Sequence, residues 1–126
     1  MRAVDTNVLV RLLVRDDAGQ ARAADDYIAK GAWVSHLVLA ETIWVLSAVY
    51  ERSTAQQIAL LDVLLMHQSL VIQDADVVAA ALAHFRRKPA LGFSDCLVLE
   101  IAHKAGHTPL GTFDRALGKL ANALML

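Results

Sequence analysis

The sequence predicts an α/β fold in which a parallel sheet lies between two layers of helices, a three-layer α/β/α arrangement. Two observations predict it. Short apolar runs alternate along the chain with helical segments of roughly 10 to 15 residues, a pattern typical of right-handed βαβ crossovers between parallel strands. The chain has 126 residues, of which 56% are hydrophobic and 20% charged. That composition excludes a disordered tail and favours one folded domain over residues 1–126.

The elements of the first half follow from the places where apolar segments are interrupted. The charged residues 15–19 end the first helix, and Gly31 suits the position just after the second. Ser35 can cap the third helix, and the T-x-x-Q spacing of Thr54 and Gln57 indicates a capping box for the fourth. In order, we expect strand 2–5, helix 7–14, helix 20–30, strand 32–34, helix 37–50 and helix 54–67.

The second half is divided in the same way. Asp74 can cap a helix, and Ser94 can cap the helix after the loop 88–92, which contains Pro and Gly. In order, we expect strand 70–72, a helix ending at residue 87, helix 95–105, strand 107–111, a turn at 112–114, a last helix and an edge strand over 123–126. We expect Trp33 and Trp44 in the core, because both lie in apolar segments.

Composition excludes several classes of protein. The single cysteine, Cys96, excludes a disulfide framework and a cysteine-rich zinc site, and it favours a reducing cytoplasm. No apolar run approaches the roughly 18 residues that a membrane span needs, and we expect no signal peptide from the pattern of the N-terminus. The chain has 12 Lys and Arg against 13 Asp and Glu, a net charge of −1. At first, that balance argues against a nucleic-acid partner.

Four acidic residues lie where an α/β protein places functional groups, outside the carboxyl ends of its strands. Asp5 closes the first strand, Asp114 follows the strand before the last helix, and Asp95 opens a helix. Glu41 has apolar neighbours three and four residues away on its helix. If it is buried there, its carboxylate must protonate, pair or bind a cation. Taken singly, helix capping or a turn explains Asp5, Asp95 and Asp114 equally well.

The four acids carry more information about function together than singly, because their charges would interact. Carboxylates within a few ångströms of each other repel, and some of their pKa values must rise unless a cation is bound. All-oxygen ligands favour a hard divalent ion, Mg²⁺ or Mn²⁺, over zinc. Such an ion can activate water for attack on a phosphodiester. Without these four acids the rest of the chain has more basic than acidic residues, so the net charge does not exclude RNA.

Four motifs, in order along the chain, resemble the acidic motifs of the PIN-domain nucleases. They are Asp5-Thr6-Asn7-Val8-Leu9-Val10, Ala40-Glu41-Thr42, Phe93-Ser94-Asp95-Cys96-Leu97 and Thr112-Phe113-Asp114. The chain length is similar to that of the single-domain VapC-type toxins of bacterial toxin–antitoxin pairs. The resemblance implies a sheet in the order 3-2-1-4-5, a Mg²⁺- or Mn²⁺-dependent endoribonuclease, a homodimer and a VapB-type antitoxin partner.

The resemblance also implies roles for the four acids. Asp5, Glu41 and Asp95 would be the main metal-site and catalytic acids. Asp114 would complete the quartet, as a ligand or through a metal-bound water. The implied reaction is hydrolysis by metal-activated water, which leaves a 5′-phosphate and a 3′-hydroxyl.

Polar residues around these acids have supporting roles in the same interpretation. Thr6 and Thr112 would orient carboxylates or water through their hydroxyls, and Asn7 would lie near the site. Basic residues at helix ends either complement the helix dipole or bind RNA phosphates. The candidates for RNA binding are Arg11, Arg15, Arg86, Arg87, Lys88 and Arg115.

Three other patterns have weaker functional interpretations. Asp74-Ala75-Asp76-Val77-Val78 fits the D-x-D-x-[TV] motif of haloacid dehalogenase phosphatases, but too little chain follows for their other motifs, and capping explains Asp74. His103 and His107 stand four residues apart, but Gly106 lies between them where the helix should end, which disfavours a zinc pair. Cys96 lacks a catalytic His pattern nearby, and we expect a small buried residue there.

Two alternatives for function remain. One is the metal-dependent ribonuclease acting as a toxin, and the other is a PIN-like module that binds RNA or a protein without cutting. The helices starting near Leu37 and near Ile58 are apolar on almost every face, which indicates a dimer interface.

Overall fold

The computed structural model describes residues 1–126 and divides them into two compact units, residues 1–75 and 76–126. The first unit contains β1 (Arg2–Ala3), α1 (Thr6–Val14), α2 (Ala18–Ile28), β2 (Ala32–Val34), α3 (His36–Ala48), α4 (Thr54–Met66) and β3 (Leu70–Ile72). Helix α5 (Ala75–Arg87) begins at the last residue of that unit. The second unit continues with α6 (Phe93–Ala105), β4 (Leu110–Thr112), β5 (Ala123–Met125) and two 3₁₀ turns, Pro89–Leu91 and Leu117–Lys119.

The first unit is organised around a three-stranded parallel sheet with β2 in the middle. Ala32 is opposite Arg2 on one side and Leu70 on the other. Main-chain bonds continue the ladder beyond the strands: Val4 N–H donates to the Trp33 carbonyl at 3.1 Å, and Gln73 N–H donates to the Val34 carbonyl at 2.8 Å. Because the strands are parallel, the segments that follow them leave from the same edge of this sheet.

The second unit contains a separate parallel pair, β4 with β5, in which Leu110 is opposite Ala123 and Thr112 is opposite Met125. The Leu126 N–H then donates to the Thr112 carbonyl at 2.9 Å. In the expected order 3-2-1-4-5, β3 pairs with β2, β2 with β1, and β4 with β5. The structure shows these three pairings, but in two separate sheets of three and two strands. The α/β class and the parallel pairing are confirmed; the single domain over 1–126 stays a prediction.

Helix packing in the first unit buries one face of each helix. Helix α1 packs against α2 and α3, and Leu9 at 0% exposure lies on its buried face. Helix α3 buries Leu39, Ile43 and Leu46. Its one buried polar residue, Thr42, donates its hydroxyl to the Val38 carbonyl at 2.7 Å, so burial leaves that hydroxyl paired.

The second unit has its own apolar contacts. The rings of Phe85 in α5 and Phe93 in α6 are tilted by 53°, with centroids 6.1 Å apart, a favourable geometry for an aromatic pair. Both are buried, at 2% exposure each. This pair fixes the start of α6 against α5 and so determines where the first turn of α6 lies.

Helix starts confirm some predicted caps and correct others. Ser35 caps α3, with its Oγ accepting from the Val38 N–H at 3.1 Å. The expected capping box of Thr54 and Gln57 is wrong by one residue. Ser53 Oγ accepts from Gln56 N–H at 3.2 Å, and Gln56 Oε1 accepts from Ser53 N–H at 2.8 Å. The sequence contains both S-x-x-Q and T-x-x-Q, so spacing alone does not distinguish them.

Two further expectations in the second unit are wrong. Ser94 does not cap α6, because burial of Phe93 draws that residue into the helix and the helix begins directly after Gly92. Gly92 has φ +77°, a conformation that glycine adopts without strain. The last helix is only the 3₁₀ turn Leu117–Lys119. A β-carbon on its Gly118 would lie 3.0 Å from the side chain of Met125, so β5 packs closely against this turn.

The two tryptophans are on the surface rather than in the core. Trp33 is 37% exposed because β2 buries Ala32 and Val34 on its other face, and Trp44 is 65% exposed because the buried side of α3 lies elsewhere on the helix. No helix in the structure has the length and apolar character needed to cross a membrane.

Two leucines on α3 test this account of the core. Leu39 is 1% exposed and Leu37 is 68% exposed. We expect Leu39→Ala to lower the free energy of unfolding by about 2–5 kcal/mol, because it removes buried apolar surface and leaves a cavity. The matched control Leu37→Ala should change it by about 0.5 kcal/mol or less. Equilibrium denaturation in urea measures both, and equal losses would contradict the assigned burial.

Candidate functional site

Asp5 lies at the junction between β1 and α1. It is the N-cap of α1: its backbone is extended, and its Oδ1 accepts from the Val8 N–H at 3.1 Å. The residue is exposed to solvent. Since the cap uses Oδ1, the second carboxylate oxygen can accept other bonds or bind a cation.

A hydrogen bond joins the next residue to the second predicted acid. Thr6 Oγ1 donates to Glu41 Oε2 at 2.8 Å, which connects the first turn of α1 to the middle of α3. A hydrogen bond of this length restricts the orientation of the carboxylate. The structure therefore places Asp5, Thr6 and Glu41 together, and exposed Asn7 follows them in the first turn of α1.

The expectation that Glu41 is buried among apolar neighbours is wrong. Glu41 is exposed, and its neighbours Leu37 and Trp44 are themselves 68% and 65% exposed. The buried face of α3 is formed by Leu39, Thr42, Ile43 and Leu46. Apolar neighbours on a helix show that residues share a face, and only packing decides which face is covered.

Asp95 lies in the first turn of α6, between the buried residues Phe93 and Cys96. Although the residue as a whole is exposed, partial burial of its carboxyl raises its pKa above the ordinary value. The nearby charge of Asp114 raises the pKa further. The structure therefore brings Asp95 and Asp114 close enough for their charges to repel.

Asp114 follows β4 and begins the turn that leads to the 3₁₀ segment. Its Oδ1 accepts from the Leu117 N–H at 2.8 Å, and its own N–H donates to Thr112 Oγ1 at 3.0 Å. Thr112 therefore fixes the main chain of Asp114 and can still donate its hydroxyl proton. As at Asp5, one carboxylate oxygen stabilises the local fold and the other is available for chemistry.

The donor set fits a hard divalent cation in its chemistry. Every predicted acid offers carboxylate oxygens, the ligands that Mg²⁺ and Mn²⁺ prefer. Repulsion between Asp95 and Asp114 is the electrostatic condition that a cation relieves. No group of three or more His, Cys, Asp or Glu side chains lies close enough together to hold a metal ion. Asp5 and Glu41 lie in the first unit, and Asp95 and Asp114 lie in the second.

Two of the basic residues have structural partners that sequence reasoning missed. Arg11 Nη1 donates to Asp16 Oδ1 at 3.0 Å and to the Tyr50 hydroxyl at 3.2 Å, and contact with Tyr50 and Asp16 raises its pKa. Arg15 forms a two-pronged pair with Asp25 at 2.9 and 2.8 Å. That pair raises the pKa of Arg15 and lowers that of Asp25.

The other basic candidates are exposed on the second unit. Arg87 Nη2 lies 3.1 Å from Nδ1 of His84, which is itself 2.7 Å from Glu100. The remaining candidates, Arg86, Lys88 and Arg115, are also exposed.

Two of the weaker patterns resolve as expected. Gly106 is in the left-handed conformation and ends α6, so His107 lies outside the helix that carries His103. Cys96 is 0% exposed, and its burial raises the pKa of the thiol to about 11. A thiol with such a pKa is protonated at neutral pH and is a poor nucleophile.

A groove beside Asp5 contains functional groups that no motif indicated. It has a volume of about 430 Å³, and Gln20 and Tyr27 of α2 contribute to its wall. Neither residue belongs to a recognisable spacing pattern, because their relation to Asp5 arises from the packing of α2 on α1.

The parallel strands between helices define an α/β protein, and its four predicted acids are all exposed. A comparison with protein families matches residues 2–123 to the PIN domain, and the chain belongs to the PIN domain family. PIN domains are generally a metal-dependent nuclease fold, and PIN-domain nucleases generally use divalent metals. A comparison with curated proteins found no match.

The electrostatic coupling in the second unit gives a direct test. In the metal-free protein, Asp114→Asn removes a negative charge beside Asp95, so the pKa of Asp95 should fall. It should stay above the ordinary value, because partial burial is the larger cause. The substituted amide oxygen can still accept from the Leu117 N–H. Carboxyl ¹³C shifts followed through a pH titration measure the change. Asp76→Asn, in the same unit, should leave the Asp95 pKa unchanged, and an equal effect of both variants would exclude the coupling.

Proposed function

We propose that this PIN domain is a Mg²⁺- or Mn²⁺-dependent endoribonuclease and that Asp5, Glu41, Asp95 and Asp114 are its metal-site and catalytic acids. The observation that carries the proposal is the match of residues 2–123 to the PIN domain. It is supported in the second unit by Asp95, whose pKa is raised by partial burial of its carboxyl and by the charge of Asp114. Such repulsion costs free energy in the absence of a cation, and a divalent ion offsets it. The family match spans both units, which supports one functional domain over the whole chain.

The side chains have distinct tasks in this proposal. Thr6 holds the Glu41 carboxylate in one orientation through its 2.8 Å bond. Asp5 and Asp114 present the oxygen that their helix or turn does not use. Thr112 fixes the main chain of Asp114. The bound ion supplies activation of water and neutralises charge on the phosphodiester, so that hydrolysis leaves a 5′-phosphate and a 3′-hydroxyl.

RNA is the proposed substrate because the four acidic motifs resemble those of the PIN-domain nucleases and the chain length is similar to that of the VapC-type toxins. The basic candidates Arg11, Arg15, Arg86, Arg87, Lys88 and Arg115 could position its phosphates without reading sequence. Arg11 and Arg15 have acidic partners at 3.0 and 2.8 Å, so phosphates must compete for them. We give these residues positioning roles, and the chemistry to the acids.

The same resemblance supports a toxin role with a VapB-type antitoxin as partner, and a cytoplasmic location in keeping with the single buried thiol. The alternative is a PIN-like module that binds RNA or a protein and does not cut. The exposure of all four acids is compatible with either role.

Substitution of Asp5 distinguishes cleavage from binding. Asp5→Asn removes one negative charge but keeps an oxygen that caps α1, since Asn is as good an N-cap as Asp. We expect Mg²⁺-dependent cleavage of total RNA to fall by more than about 100-fold, beyond the effect of losing a residue that only supports a ligand. Removal of divalent metal with EDTA should abolish wild-type cleavage, and added Mg²⁺ or Mn²⁺ should restore it.

The matched control for this experiment is Asp26→Asn, which changes an exposed acid on α2 outside the proposed site. Its cleavage rate should stay within about twofold of wild type, in line with the small effects of surface substitutions. Circular dichroism should be the same for all three proteins. Equal cleavage by wild type and Asp5→Asn would overturn the enzymatic assignment and favour the binding module.

We also propose a homodimer that covers apolar residues on α4. Val63 and Met66 are three residues apart on that helix and are 52% and 83% exposed, so they share an uncovered apolar face. Sedimentation velocity should give twice the chain mass for the wild type and the mass of a single chain for Val63→Lys. Val98→Lys, at a valine of α6 that is 50% exposed, should remain dimeric. A monomeric wild type would refute this assembly.

A further inference from the structure

A groove between α1 and α2 leads away from the proposed metal-site acid Asp5. Its α1 side includes Asp5, Asn7 and Arg11, and its α2 side includes Gln20, Ala23 and Tyr27. We call it the α1–α2 groove. Its volume of about 430 Å³ lies within the range of roughly 300–1,000 Å³ that is typical of small-molecule sites. It is therefore large enough for one unit of a polymeric substrate.

The groove combines an apolar floor with two amide side chains. Val8, Ala23 and Ala24 form this floor, and the two alanines leave room that longer side chains would fill. Asn7 and Gln20 are both exposed and lie on opposite helices. Each amide offers a donor pair and an acceptor, the groups that match the edge of a nucleobase.

Arg11 supplies the positive charge of the groove, and its hydrogen bonds hold it in place. Both hydrogen bonds of Arg11, to Asp16 and to the Tyr50 hydroxyl, come from Nη1. The guanidinium has further N–H donors on Nη2 and Nε, and Arg is well suited to bind phosphate oxygens. Contact with Tyr50 raises the pKa of Arg11, which keeps it cationic.

Tyr27 forms a wall that is fixed before any ligand arrives. The Arg2 guanidinium carbon lies 3.9 Å from the centre of the Tyr27 ring, and the Tyr27 hydroxyl donates to the Ala3 carbonyl at 3.2 Å. Aromatic rings bind single-stranded nucleic acid through the faces of its bases. A ring that is already ordered loses little conformational entropy on binding.

An ion pair also joins the two helices that form the groove. The Arg15–Asp25 pair, with bonds of 2.9 and 2.8 Å, connects the end of α1 to the later part of α2. Such a two-pronged pair constrains direction as well as distance. The groove is thus a preformed feature of the first unit.

We propose that the α1–α2 groove binds one unpaired nucleotide of the RNA next to the scissile phosphate. Arg11 contacts its phosphate, the apolar floor and Tyr27 support its base, and Asn7 and Gln20 recognise the base edge. The inference rests on the proposed ribonuclease function, because the groove begins at Asp5. It adds a source of sequence preference that phosphate contacts alone cannot supply.

Filling the groove tests the proposal. Ala23 is exposed in the middle of α2, so Ala23→Leu should not disturb the core but should occupy the space of the base. We expect the KM for single-stranded RNA to rise about tenfold, with a smaller change in kcat, in keeping with the contribution of one stacked base. The matched control Ala83→Leu changes an exposed alanine of α5 and should leave both constants at wild-type values.

A second variant separates recognition from space filling. Gln20→Ala should relax the base preference at one position beside the cut, seen by mapping cut sites in total RNA, because it removes a base-edge contact and leaves the floor intact. Manganese binding, followed by electron paramagnetic resonance, should be unchanged in both groove variants. Unchanged KM and cut sites in both would overturn the nucleotide site.

A binding measurement keeps the groove testable if the chain does not cut RNA. Fluorescence anisotropy of a labelled single-stranded RNA should show about tenfold weaker binding to Ala23→Leu than to wild type, and no change with Ala83→Leu. Absence of cleavage with this pattern would reject the nuclease and retain the groove. Equal RNA binding by all three proteins would reject the groove as a nucleotide site. This conclusion would hold even if Ala23→Leu impaired the binding of a protein partner.

Discussion

The hydrogen bond from the Val8 N–H to Asp5 Oδ1, 3.1 Å long, is the interaction on which the first unit depends. A helix leaves its first N–H groups without partners, and this carboxylate satisfies one of them. The bond fixes the residue at which β1 gives way to α1. It therefore sets the direction of Thr6 toward Glu41, and the face of α1 that packs on α2 and α3.

The same device recurs in the second unit at Asp114, whose Oδ1 accepts from the Leu117 N–H. In both places an acid has a structural bond and an oxygen left over. The capping explanation and the functional one are therefore compatible. Because asparagine preserves the cap and removes the charge, these two positions allow the structural and chemical contributions of an acid to be separated.

Electrostatics differ between the two acid pairs. Glu41 is exposed and accepts a hydrogen bond from the Thr6 hydroxyl at 2.8 Å. Asp95 is partly buried and faces a like charge, which raises its pKa. A cation would relieve the repulsion in the second pair, while Asp5 of the first pair lines the α1–α2 groove. In the proposed enzyme, the repulsion between Asp95 and Asp114 would favour metal binding, and the place of Asp5 in the groove would bring the substrate to the acids.

The sequence by itself determined the α/β class, the parallel strands, most helix bounds and the PIN-type order of acidic motifs, because these depend on local periodicity and on spacing along the chain. Tertiary structure decided what periodicity leaves open. Apolar neighbours around Glu41 suggested burial, but packing covered a different face of α3, so Glu41 and Trp44 are exposed. Burial of Phe93 against Phe85 moved the start of α6. The α1–α2 groove, with Gln20 and Tyr27 near Asp5, arises only where two helices pack together, because contacts between distant residues leave no fixed spacing in a single sequence.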